Sequence, residues 1–158
     1  MRILREYHTI DKSRWAPGPW QSEADKVQAI DDATGLDVLL VRQPYHGSWC
    51  GYVGVPQSHP LFGQGYHDVP DVDVHGGLTF ADACHETGDE SRGICHVGEI
   101  GAADHVWWFG FDCAHAWDIT PGYDHGFGFP DSTYRTREYV EAECARLAEQ
   151  LAALNAPA

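Results

Sequence analysis

The run Val106-Trp-Trp-Phe-Gly-Phe-Asp112, continued by Cys-Ala-His-Ala-Trp-Asp118, places the centre of the fold. Up to Gly110 both alternating faces are apolar, which marks a strand covered on both sides rather than a sheet edge. The apolar character ends at Asp112, so this carboxylate stands at the rim of a core. A carboxylate withdrawn from water needs a partner or takes up a proton. His115, three residues on and past the strand end, can turn back towards it. The stretch therefore joins a central strand to the start of a polar site.

Towards the N-terminus, Leu36 to Val41 and Trp49 to Val55 have the length and branched residues of strands, and the turn at Pro44 to Ser48 makes them a hairpin. Upstream, Ser22 stands as N-cap to Glu23 through Ala33, with acidic residues in the first turn and Val27, Ile30 and Ala33 at helical spacing. A helix ended by Thr34-Gly35 is expected there. Residues 1 to 21, with a turn at Trp15-Ala-Pro-Gly-Pro-Trp20, read as an arm packed on the core.

Downstream, Pro56 to Pro70 reads as a loop and Val72 to Phe80 as a strand bent at Gly76-Gly77. Ala81 to Asp104 lacks either period and reads as a long loop held by something extra. Cys113 to Thr133 is irregular, with turns at Pro121-Gly122 and Gly126 to Pro130. Val140, Cys144, Leu147, Leu151 and Leu154 recur at spacings of four and three, which predicts a helix over Thr136 to Leu154 with one apolar stripe. The expectation is one α+β domain over residues 1–158: an antiparallel or mixed sheet, an N-terminal and a C-terminal helix, and long functional loops.

The 158 residues carry a formal net charge of −14, and its placement narrows the partners. Between Gln43 and Tyr134 the sole basic residue is Arg92, against thirteen acidic residues, and nine of the ten histidines lie there. Such a surface repels phosphate backbones, so no nucleic-acid groove is expected; cations are attracted instead. No run is long enough to cross a bilayer and the N-terminus has no apolar signal stretch. The chain is expected to be soluble and cytoplasmic, with a small-molecule substrate or ligand as its partner. Five cysteines, an odd number without a secretory signal, favour reduced thiols or metal thiolates over a disulfide framework.

If the 72–80 strand lies beside the 105–112 strand, His75, Asp112 and His115 converge as two imidazoles and one carboxylate. That donor set suits Zn, Mn or Fe with positions open for water or substrate. Asp118 would then be a fourth ligand or a base, and Asp73, on the His75 face of its strand, a second candidate base. A hydrogen-bonded Asp/His pair closing the strand end is the alternative. In the long loop, Cys84, Cys95 and His96 could staple the backbone around a structural Zn, or the cysteines could simply be buried. Two further alternatives are a Cys113–His115 nucleophile and base, and phosphate binding by Gly76-Gly-Leu-Thr79, which lacks a P-loop lysine. Trp15, Trp20 and Trp49 are core residues or walls of a ligand pocket.

With Gly18-Pro-Trp20, Asp25-Lys-Val-Gln28, Thr34-Gly-Leu36, Cys50-Gly-Tyr-Val-Gly-Val55, His59-Pro60, His75-Gly-Gly-Leu-Thr-Phe80, Ile94-Cys-His96 and Trp107 to Asp118, the chain resembles a family of uncharacterised proteins encoded in bacterial and phage genomes. The resemblance covers roughly residues 15 to 140. It implies a phage or mobile-element setting, with a host-cell cytoplasmic location, and it implies no reaction. From the residues, two functions compete. One is a metal-dependent hydrolase of a small substrate, phosphorylated substrates included. The other is a non-catalytic acidic inhibitor or small-molecule-sequestering protein.

Overall fold

The computed structural model describes residues 1–85, 89–98, 105–123 and 131–155. Six strands, β1 (Arg2–Tyr7), β2 (Lys26–Ile30), β3 (Asp37–Arg42), β4 (Trp49–Pro56), β5 (Phe80–Ala83) and β6 (Val106–Asp112), form one sheet in the order β1-β2-β3-β4-β6-β5. Every pairing is antiparallel. Among the described residues one α-helix, α1 (Arg137–Leu154), follows. The fold is a small α+β domain, with the helix on one face of the sheet.

β6 is central, as its two apolar faces require. It pairs with β4 on one side and β5 on the other. The register explains the glycines in the two strand words: Gly54 lies opposite Trp108, Gly51 opposite Phe111, and Gly110 opposite Tyr52. A Cβ at any of the three would collide with a side chain of the neighbouring strand. Each glycine thus lets a large ring of the partner strand lie flat across the sheet.

Alternation sorts the strands between two cores. Val27, Ala29, Val38, Leu40, Val53, Val55, Phe109 and Phe111 face α1, whose Val140, Cys144, Leu147, Ala148 and Leu151 form the expected stripe. The helix begins where Thr136 accepts a hydrogen bond from the Tyr139 amide, an N-cap. Its far end is held by His59, whose Nε2 lies 2.8 Å from the Leu151 carbonyl. The opposite face, with Leu39, Tyr52, Val106 and Trp108, packs against Val41, Cys50, Phe80, Cys84 and Ile94.

Several sequence expectations are corrected. Residues 23–33 form no helix: Lys26–Ile30 is strand β2, and Asp31 to Gly35 is the turn of a hairpin. There the Asp31 carboxylate accepts from the Thr34 amide and hydroxyl, and Gly35 takes a φ of 74°. Val27 and Ala29 match a period of two as well as Val27, Ile30 and Ala33 match a helix, and strand pairing on both sides decided between them. Glu23 and Asp25 are not first-turn acids but anchors for cations, Asp25 buried and Glu23 half-buried. Arg42 reaches Glu23 at 2.9 Å and Asp25 at 3.1 Å, and Lys12 reaches Asp25 at 2.6 Å. The N-terminal arm contributes edge strand β1. Val72 to Thr79 is not strand; Gly76 and Gly77, with φ of 70° and 80°, turn the chain before β5 begins at Phe80. The turns expected at Gly126 to Pro130 lie outside the described residues.

The long loop is held from beneath. Lys26, buried in β2, donates to the carbonyls of Glu90, Gly93 and Cys95, and Gln28 both donates to and accepts from the backbone of Val97. Burial pulls the Lys26 ammonium down to about 8, opposed by Glu90 and Asp89. Cys84 and Cys95 are joined in a disulfide while Cys50, Cys113 and Cys144 are free, so the expectation of reduced thiols is corrected for that pair. Only ten residues lie between the two cysteines, and the covalent closure supplements the small core contact that Cys84 and Ile94 make.

Candidate metal centre

Past the end of β6 the chain makes a tight turn, with the Asp118 amide donating to the His115 carbonyl at 2.9 Å. Residues 117–119 are then pinned to Thr133 by two backbone hydrogen bonds. This turn points the Asp118 side chain inward, where it is 1% exposed. Its Oδ2 lies 2.8 Å from His75 Nε2 and 3.0 Å from His115 Nδ1, and also accepts from the His115 amide. Oδ1 accepts from Arg135 Nε at 2.8 Å. Burial raises the carboxyl's pKa, but the hydrogen bonds from Arg135, His75 and His115 outweigh it and hold it at about 2.

His75 arrives from the segment before β5. There α1 grips the backbone: Arg146 and Gln150 donate to the Asp73 carbonyl, and Gln150 accepts from the Asp73 amide. Gly76 then passes against the His115 ring so closely that a Cβ would collide with it. His75 Nδ1 lies 2.9 Å from the Tyr139 hydroxyl, which donates on to Glu143. An ionised Asp118 accepts only, so both imidazoles turn an N–H towards it. His115 Nε2 is left facing Asp112, 3.8 Å away, on the half-exposed side of the ring.

The structure brings His75, His115 and Asp118 together, their ligand atoms all within 4.8 Å of one another. Asp112, expected as the third ligand, stands just outside, where it accepts from Thr79 and from the Ala114 amide. Asp118, expected as fourth ligand or base, occupies the central place. The reason is the turn at 115–118, which carries Asp118 inward while Asp112 stays in the sheet register opposite Cys50. Asp73 is not in the site: its side chain is 91% exposed and pairs with Arg146. Cys113 is buried in the helix-side core, where burial drives its thiol pKa strongly upward. It is no nucleophile for His115. No helix follows Gly76-Gly-Leu-Thr79, so the phosphate alternative has no N-terminus to offer.

Nothing in the sequence pointed to Arg135 or Tyr139. Glu143 does carry a sequence signal, as a charged residue on the flank of the apolar stripe of α1, and it is itself buried. With Tyr139 one turn earlier it forms an i, i+4 pair aimed at His75.

No family model, curated protein or solved structure matches this chain. The site is therefore read from its chemistry. Two other arrangements bear on it. Cys84, Cys95 and His96 form a second cluster with ligand atoms within 4.8 Å, on the face opposite α1. On that same face a cavity of about 450 Å³ is lined by Ile10, Val41, Cys50, Tyr52, Arg92 and Ile94 among others. None of Trp15, Trp20 and Trp49 lines it. Trp49 is core beneath the Arg42 guanidinium, and Trp20 packs edge-on against Tyr134.

Proposed function

We propose that the chain is a metal-dependent hydrolase of a small substrate, with one Zn, Mn or Fe ion held by His75 Nε2, His115 Nδ1 and Asp118 Oδ2. The observation that carries this reading is that both ring nitrogens lie at hydrogen-bond distance from Asp118 Oδ2, with the ligand atoms of the three residues within 4.8 Å of one another. A tetrahedral ion with bonds of about 2.0 Å separates its ligands by about 3.3 Å, so the two measured edges need to open by only a few tenths of an ångström. The far atom of each ligand also has a neighbour to orient it: Tyr139 for His75, Arg135 for Asp118, Asp112 for His115. In such a site the ion lowers the pKa of a bound water towards about 7. Asp112, partly exposed and on the far side of the His115 ring, would accept that proton through an intervening water. Because both imidazoles donate to Asp118, metal entry would require each ring to carry its proton on the far nitrogen, His75 on Nδ1 and His115 on Nε2, and affinity would fall at low pH, where imidazolium cannot ligate.

The test is elemental analysis of oxidised protein purified without a chelating tag, so that the cysteine cluster is closed. Close to one ion per chain is expected, with loss of that ion in His75→Ala and His115→Ala. Background metal with no uptake of added Zn, Mn or Fe would sink the reading. The cavity beside Cys50 favours the second reading, a small-molecule-binding protein, which needs no metal.

A further inference from the structure

The cysteine cluster has no part in the proposed hydrolysis, and its surroundings say more than a plain disulfide requires. Reduction of most disulfide loops frees the backbone between the cysteines. Here the loop stays anchored, because Lys26 binds the Gly93 and Cys95 carbonyls at 2.7 and 2.8 Å and Gln28 brackets Val97. The two Cα atoms, 4.6 Å apart, are thus held together by contacts that do not depend on the S–S bond. His96 Nδ1 stands 3.9 Å from Cys84 Sγ. The Trp108 indole N–H donates to the same sulfur at 3.3 Å, a contact that strengthens when the sulfur is an anion. Asp37 on β3 lies within electrostatic reach of His96.

We propose that in the reduced chain Cys84, Cys95 and His96 bind a zinc-like divalent cation, with Asp37 or water as fourth donor, so that metal binding and the disulfide exclude each other. Rotation of the two side chains separates the sulfurs to about 3.8 Å, the tetrahedral edge for metal–sulfur bonds of about 2.3 Å. The His96 nitrogen already stands at a comparable distance. Oxidation reverses the state. A small-molecule disulfide accepts one electron from each thiolate, the Cys84–Cys95 bond forms as the oxidant's S–S bond breaks, and two protons from solvent convert its halves to thiols. The cation is released.

Cobalt(II) makes the test specific, because thiolate ligation gives a charge-transfer absorption that the His75–His115–Asp118 site cannot produce. The wild-type chain, reduced by excess small thiol and exchanged into anaerobic buffer, should develop that absorption at one Co(II) per chain and lose it on adding Zn(II). Treatment with oxidised glutathione should abolish it and release one equivalent of metal. His96→Ala should weaken Co(II) binding by more than about tenfold, and Cys84→Ser/Cys95→Ser should show no such band. Three results would each overturn the proposal: a folded chain whose disulfide resists the thiol, free thiols confirmed by alkylation without the absorption, or a band that survives in the double serine variant. Comparing the wild-type chain before and after oxidation decides the matter even where a variant fails to fold.

Discussion

Asp118 accepts four hydrogen bonds, from His75, Arg135 and both the amide and ring of His115, and two carboxylates near one histidine pair invite a direct comparison. Asp118→Asn sets an NH2 donor either against Arg135 or against the imidazole N–H groups, which both point at Oδ2, and leaves Arg135 without its counter-charge. A loss of about 2–4 kcal/mol is expected in chemical denaturation, together with loss of metal. Asp112→Asn, partly exposed and outside the trio, should cost less than about 1 kcal/mol and leave metal occupancy intact while lowering turnover. Equal effects of the two changes on metal content would contradict the assignment. Asp118 also predicts an acid limb. Its folded pKa, about 2, lies below the roughly 3.9 of an unfolded aspartate, so the unfolded chain binds the proton first. The contribution, about 2 kcal/mol, is fully present above pH of about 4 and is lost as pH falls through about 2. Asp118→Asn should remove that part of the slope from a stability–pH series.

The element that delivers His75 is a glycine turn, and the one that shields the opposite face is a loop on a lysine. Gly76→Ala puts a Cβ at a φ of 70° and against the His115 ring. It should cost about 1–3 kcal/mol and displace His115, so that metal occupancy falls with the thermal midpoint. Lys26→Met leaves three carbonyls, that of Gly93 buried, without their donor, and should cost about 2–4 kcal/mol while opening residues 89–97 to protease with α1 still protected. Uniform protease resistance would show that the disulfide alone holds the loop. The sequence made the two cores legible in part: β3, β4, β6 and α1 follow from patterns long enough to have one reading. β2 did not, since five residues satisfy either period until the neighbouring strands are known. The pair His75 and His115 was legible as ring chemistry beside a strand end. The choice of Asp118 over Asp112 was not, because it depends on a turn pinned by Thr133, on an arginine just before α1 and on a tyrosine in its first turn. These are tertiary facts with no local pattern.

Across the whole molecule, the charge of −14 means that any cation stabilises the fold to some degree by screening repulsion between carboxylates. A specific site must be separated from that background, and stability provides the means. An ion that binds the native chain alone adds RT ln(1 + [L]/Kd), about 2.7 kcal/mol at a hundredfold excess over Kd. For a domain of this size each kcal/mol moves the midpoint by about 2–4 °C, so a rise of about 5–10 °C is expected. Screening, by contrast, depends on ionic strength and not on donor geometry. The prediction is a rise of that size with micromolar Zn(II) or Mn(II) in 150 mM sodium chloride, on the oxidised chain, reversed by a chelator and absent with Mg(II), which takes oxygen donors and retains its waters. His115→Gln should abolish the rise, since it removes one imidazole from the trio while leaving the net charge of the neutral form unchanged. A rise that persists in His115→Gln, or that sodium chloride alone reproduces, would mean that the acidic surface, and not the convergence of His75, His115 and Asp118, is what attracts the cation.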